Sequence, residues 1–263
     1  LKYYIILILL FLSNLIFSQK DSLVKEYYFN GNINVSNNGF SFIPLFTLGE
    51  PATVINLSIG SDRFSFNPSL SFDLNGLKPW VFDFIWSYKL LNNKKYNLTI
   101  SQFVPGLYFH KISYKKNNIK QSAFSPWIST VSTMDFFYSI SQNFRFGFTF
   151  FNAFPIKKNE EQPNIARMLS IKSQIRNIKL GDSIIINWSP EIYFPKVDNQ
   201  TGIFAAQNIS VRFNNSPISI SSSMNKAIDF GNFTGKSFDW NIGINYSFNN
   251  KLIKKKDYIR INN

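Results

Sequence analysis

The chain has a single histidine, His110, with a serine three residues on, Ser113. A serine activated by a histidine, itself oriented by a third polar group, is the chemistry such a pair could do. The spacing argues against it. Strand neighbours at odd separation point to opposite faces, so His110 and Ser113 do not meet on a regular strand. His110 lies instead among Tyr108, Phe109 and Tyr114, the company that amphipathic rings keep at a membrane interface. A second candidate is a protease-like pair of carboxylates. Asp73 and Asp83 fall on two strands joined by a turn over 75–78, where acid–base work would need the two groups within reach of one proton.

A structural reading competes with both. Asp73, Asp83, Asp135, Glu191 and Asp239 occupy the polar parity of their segments, and so do Arg63, Lys89, Arg145 and Arg212. Opposite charges on the inner wall of a narrow barrel cross-pair and fill it. The sequence has no cysteine, which removes thiol catalysis, zinc–thiolate sites and disulfide scaffolds. No phosphate loop, dinucleotide fingerprint or metal-ligand cluster appears, so no cofactor and no metal site is expected.

Prolines form a further pattern. Phe66/Pro68/Leu70, Phe103/Pro105/Leu107, Phe124/Pro126/Ile128 and Trp188/Pro190/Ile192 each place a proline between apolar residues on the same parity. Proline forfeits a ladder hydrogen bond and is confined to edges and bulges. Bulges or locally opened pairing are therefore expected at Pro68, Pro105, Pro126 and Pro190, with a lateral gap toward lipid as one consequence.

The elements that must carry these residues are strands. Phe64, Phe66, Leu70, Phe72 and Leu74 share one parity, against Arg63, Ser65, Asn67, Ser69, Ser71 and Asp73 on the other. Trp80, Phe82, Phe84, Trp86 and Tyr88 repeat the pattern, as do Phe144, Phe146, Phe148 and Phe150. Aromatics make up 17% of the chain and charged residues only 16%, a balance that excludes disorder and disfavours a helical bundle. Strands are expected over 30–47, 52–60, 63–74, 79–91, 95–114, 119–140, 143–155, 165–180, 183–195, 202–213, 217–229 and 236–248. Every second connection is then tight: Ser61-Asp62, Asn92-Asn93-Lys94, Ser141-Gln142, Gly181-Asp182 and Asn214-Asn215-Ser216. Short turns alternating with longer loops, and strands apolar on one face only, define an antiparallel up-and-down transmembrane β-barrel of about twelve strands (roughly 10–14). The phase puts both termini on the short-turn, periplasmic side.

Residues 1–18, LKYYIILILLFLSNLIFS, have a basic start, an apolar run and a small residue before Gln19, the layout of a cleaved signal peptide. The expected order is signal peptide 1–18, periplasmic segment 19–29, barrel 30–248 and basic periplasmic tail 249–263. That tail carries Lys251, Lys254, Lys255, Lys256 and Arg260 against Asp257. It is expected to be a solvated end or to dock a periplasmic partner or anionic headgroups. The net charge is +13, but the basic residues form no stripe and no nucleic-acid motif, so nucleic acid is not an expected partner. Outer-membrane lipid and lipopolysaccharide are.

Asn241, Gly243, Tyr246 and Phe248 match the polar-x-Gly-x-x-aromatic-x-aromatic terminal strand of bacterial outer-membrane barrels. The resemblance implies insertion by the barrel-assembly machinery. The stretch SNNGFSFIPLFTLGEPATVINLSIGSDRFSFNPSLSFDLNGLKPWVFDFIWSYKL resembles an uncharacterised barrel family of the Bacteroidota, flavobacteria in particular. Three functions follow as expectations: a narrow channel, a carrier of small molecules or lipids, or a structural membrane protein. An outer-membrane lipid- or peptide-hydrolase with a site at the rim is the alternative. A secreted soluble β-barrel binder is a third, and it requires the aromatic parity to face inward.

Overall fold

In the computed structural model, residues 26–43, 46–116, 119–158 and 162–253 are described. The signal peptide expected over 1–18 and the tail beyond 253 lie outside them. Among the described residues, thirteen strands form one antiparallel sheet: β1 (Glu26–Ser36), β2 (Ala52–Gly60), β3 (Phe64–Asp73), β4 (Lys78–Asn92), β5 (Tyr96–Lys116), β6 (Ile119–Ser139), β7 (Phe144–Pro155), β8 (Ala166–Leu180), β9 (Ile184–Val197), β10 (Gln200–Thr201), β11 (Ile203–Phe213), β12 (Ile218–Asp229) and β13 (Phe238–Ile253). The two-residue β10 pairs only with β9. The other twelve are staves, closed by β1 pairing with β13 and by β8 pairing with β9. The architecture is a closed twelve-stave all-β barrel. Its β5–β6 hairpin extends past the neighbouring staves, since β7 first pairs with β6 at Ser129–Pro155.

Turn chemistry fixes one end. Asn93 Oδ1 accepts the N–H groups of Lys95 at 2.9 Å and Tyr96 at 2.7 Å, and Ser141 Oγ accepts that of Phe144 at 3.0 Å. These side chains mimic a backbone turn, which is why Asn and Ser punctuate the tight connections. The start of β1 and the end of β13 lie at this tight-turn end. Both reach further than the alternation predicts: Glu26 pairs with Ile253, so 26–29 and 249–253 belong to the barrel wall.

The aromatic parity faces outward. Phe64, Trp86, Phe146, Phe150, Trp188, Phe194, Trp240 and Tyr246 are all exposed, and such a continuous apolar surface marks a wall made for lipid. It runs opposite to what the soluble binder requires. The terminal-strand residues take part in closure: Phe248 lies over Gly31 of β1, where a Cβ would stand 2.3 Å from its ring. Asn241 Nδ2 donates to Asn38 O at 3.1 Å. Gly243 pairs with Ser36 and exposed Tyr246 with Ile33, both on β1.

The expected strand over 30–47 stops at Ser36. From Asn37 the chain turns into the barrel mouth, where Ile43 and Phe46 are plug residues. Gly39 approaches Ala52 and Trp80 so closely that a Cβ would stand 2.8 Å and 2.9 Å from them. Trp80 itself corrects the alternation. A bulge between Ser71 and Phe72 in the β3–β4 register turns it inward, where it is buried and its Nε1 donates to Phe46 O at 3.0 Å.

Candidate functional site

The inner wall divides into two zones. Toward the long-loop end it is apolar. Ile43 packs with Ala166, Tyr193, Val197, Phe204, Ala206 and Phe233, and Phe46 joins them from the same loop. The Tyr193 hydroxyl, on a side chain with no solvent exposure, is 2.8 Å from both Phe42 O and Asn225 Oδ1. One hydroxyl thus ties the loop to the β9 and β12 walls. Phe46, Tyr108 and Trp127 make a ring cluster with centroids 4.9 Å and 5.4 Å apart in sequence of contact. Under this plug is a cavity of ≈ 280 Å³ bounded by Phe42, Phe46, Phe103, Trp127, Val131 and Met168, among others, with Asp83 and Gln162 at its polar edge.

Below it the wall is polar and cross-braced. Asp135 on β6 accepts from the Thr149 hydroxyl on β7 and from Lys172 Nζ on β8 at 3.2 Å. Arg145 Nε donates to Gln174 Oε1 at 2.6 Å, and its guanidinium lies 4.3 Å from the Phe137 ring centre. Lys172 Nζ is 5.3 Å from the same ring. Ser170 donates to Glu191 Oε2 at 2.6 Å. Thr149, Ser170, Lys172, Gln174, Ser189, Glu191 and Asn208 share a second cavity, also ≈ 280 Å³.

Among the residues singled out in the sequence, Asp135, Arg145 and Glu191 meet in this polar zone. The others stand elsewhere. Asp73 closes the β3–β4 turn, accepting the Asn75 N–H at 2.7 Å and facing Lys78 at 3.9 Å. Asp83 pairs with Ser69, four residues before Asp73 on β3, which at a strand rise near 3.3 Å is ~13 Å away. They form no carboxylate dyad. Arg63 sits in a tight turn, not on the wall, and its carbonyl accepts the Lys89 N–H at 2.9 Å. Lys89 is opposite Thr99 on β5, Arg212 is near the tight-turn end opposite Ser219, and Asp239 is buried opposite Asn225. His110 lies against Trp127 with ring centres 4.7 Å apart and planes tilted by 42°, opposite Ser125, and Ser113 pairs with Ser122. Among the described residues, no three His, Asp or Glu side chains gather as a metal set.

The four prolines have different surroundings. Between β2 and β3 the ladder skips Leu57–Pro68 and Ser58–Asn67, then resumes in register. Between β8 and β9 it skips Ser173–Pro190 and Gln174–Ser189, with a register shift just beyond, between Ile175 and Ile178. At Pro105 the register shifts on both sides, against β4 and β6. Pro126 differs from the expectation of a bulge. It pairs regularly with Phe109, and its other side lies beyond the first pair with β7, at an edge where no donor is required.

Sequence reading missed Lys172 and the plug. Lys172 was legible, because Met168, Ser170, Lys172, Gln174 and Arg176 alternate with Leu169, Ile171, Ser173 and Ile175. The plug was not, because Tyr193 and Trp127, on which it packs, are large rings on the parity reserved for polar groups.

No protein-family model matches the chain, and no curated protein matches it in sequence. Several solved barrels are similar in structure. The KdgM porin in complex with disordered oligogalacturonate is 8% identical, with a TM-score of 0.49, covering 84% of this chain and 99% of that one. The NanC porin is 9% identical (TM-score 0.48; 82% and 98% covered). Outer-membrane expressed OmpT of Vibrio cholerae is 8% identical (TM-score 0.42; 88% and 99% covered). At these identities the likeness is one of barrel architecture.

Proposed function

We propose that this protein is an outer-membrane β-barrel that carries small molecules with an apolar body, its mouth closed by the in-folded loop after β1. The tight turns and both chain ends would face the periplasm, with the terminal strand read by the assembly machinery and the basic tail left to solvent or to a periplasmic partner. One observation carries the reading: an apolar cavity of ≈ 280 Å³ beneath an aromatic plug, over a polar inner wall. An open ion pore needs a wet, unobstructed lumen. A purely structural barrel has no need for a lined cavity next to polar groups that can orient a guest. Among the described residues, the candidates of the enzyme alternative do not come together: Asp73 and Asp83 are four register positions apart, and Ser113 lies three residues along β5 from His110.

The test is binding of the apolar dye N-phenylnaphthylamine to purified barrel in detergent, read by energy transfer from Trp127 and Trp80. Ala153 lines the cavity, and Ala153→Phe should abolish the transfer while the heat-modifiable mobility of the folded barrel persists. Unchanged binding in that variant, or a large steady conductance of the wild type in planar bilayers, would overturn the carrier reading.

A further inference from the structure

The wall between β8 and β9 is interrupted where it matters most. Pro190 offers no N–H, and the ladder skips two successive pairs, Ser173–Pro190 and Gln174–Ser189. Past the gap, Asn177 adopts φ 56° and gives its N–H to the Asn187 side chain at 2.9 Å rather than to a ladder carbonyl. Inside hydrocarbon, backbone groups without ladder partners are costly, so such a gap is poorly compatible with a sealed wall.

Two hollows meet at this gap. On the outer face is a groove of ≈ 650 Å³ lined by Phe146, Ile171, Ile192, Phe194 and Phe238. On the inner face is the polar cavity of ≈ 280 Å³. Glu191 and Gln207 line both. Gln207 stands opposite Pro190 on the lipid-facing parity, accepting the Trp188 Nε1–H at 3.1 Å. With Ser173 across the gap, it places a polar pair on the lipid-facing parity, at the place where both hollows are lined by the same residues.

We propose that the β8–β9 seam is a lateral portal through which a single-chain amphiphile passes between lipid and lumen. The acyl chain would lie in the outer groove. The head would be held inside by hydrogen-bonding groups, Ser170, Ser189 and Asn208 among them. The two charges that line the inner cavity are already engaged, Lys172 with Asp135 and Glu191 with Ser170, and Lys226 stands outside it on the groove. A hydroxyl- or amide-bearing head therefore fits better than a strongly ionic one. The proposal deepens the carrier reading by naming a class of cargo and its route.

Acyl-chain access can be read without any transport assay. The native chain has no cysteine, so a bimane label can be placed singly at Ser189→Cys, on the inner face beside the gap. Ser221→Cys labels the inner face at an unbroken ladder, and Ile192→Cys labels the lipid face. In liposomes of phospholipid brominated on the acyl chain, the label at 189 should be quenched nearly as strongly as at 192 and several-fold more than at 221. Pro190→Val in the 189-labelled chain should restore the low quenching seen at 221. Quenching at 189 no greater than at 221 overturns the portal. So does quenching at 189 that survives an inserted ladder donor in a folded, heat-modifiable barrel. Neither result depends on dye binding in the cavity under the plug, so the portal and the carrier reading fail separately.

Discussion

Pro68 and Pro190 open the ladder in the same way and to different ends. Each removes one N–H, and beside each the pairing skips two residue pairs. At Pro68 the lumen side chains close what the backbone leaves open. Ser58 donates to Asn67, and Asn67 Nδ2 donates to Ser65 at 2.9 Å and Ser87 at 3.0 Å. Ser87 continues the chain to Ser101 at 2.9 Å. At Pro190 the facing amide is turned away, since Gln174 is held by Arg145 on β7. The first seam is stapled across four strands. The second stands between a cavity and a groove. The defect alone therefore does not make an opening. What matters is whether a polar side chain of the right length spans it.

The largest expected effect comes from breaking the staple. Asn67→Leu leaves the hydroxyls of Ser58, Ser65 and Ser87 without their shared partner, and a part-buried polar group so stranded costs about 2 kcal/mol. Guanidinium unfolding in detergent should show that loss, whereas Ser189→Ala at the other seam should fall within about 0.5 kcal/mol of wild type. Equal losses would mean that the two seams are braced alike. Next in size is repair of the backbone. Pro68→Val and Pro190→Val each supply the missing donor, worth ~1 kcal/mol where a ladder bond forms. Hydrogen exchange should then slow at Leu57 and Ser58 in the first variant, where the register continues unchanged. At Ser173 and Gln174 it should slow as well, since the two skipped pairs close, while the register shift between Ile175 and Ile178 stays beyond them.

Most of the barrel was legible because its two signals are local. Parity in strands such as Phe144–Pro155, and turn residues such as Asn93 and Ser141, each depend only on neighbours in sequence. The proline steps were legible for the same reason, since a missing donor is a property of one residue. What the proline does depends on its surroundings: Pro126 is harmless because β7 has not yet begun at that height, a fact of stagger around the barrel. The in-folded loop gives a weaker signal. Phe40 and Phe42 take the parity of Asn32 and Asn34, not that of the exposed Ile33 and Val35, and the close approach of Gly39 to Trp80 in space shows that the run has left the wall. Asp73 and Asp83 looked like a pair because a hairpin brings their strands together, but the register, which sequence parity does not fix, sets them apart.

The smallest expected change in stability is also the most specific to the portal. Gln207→Leu removes the acceptor of the Trp188 indole N–H and the amide that contacts Met224 Sδ at 3.3 Å. The lost hydrogen bond is destabilising, but a polar amide is replaced by an alkyl group on a lipid-facing wall, which is favourable. The two terms oppose each other, and the unfolding free energy should move by less than about 0.5 kcal/mol. Transfer of a fluorescent monoacylglycerol from vesicle to lumen, in contrast, should slow, because the head loses the one amide shared by groove and cavity. Asn67→Leu should do the reverse, lowering stability while leaving transfer unchanged. If Gln207→Leu slows nothing, Gln207 is only an anchor for Trp188, and any passage at this seam does not use its amide.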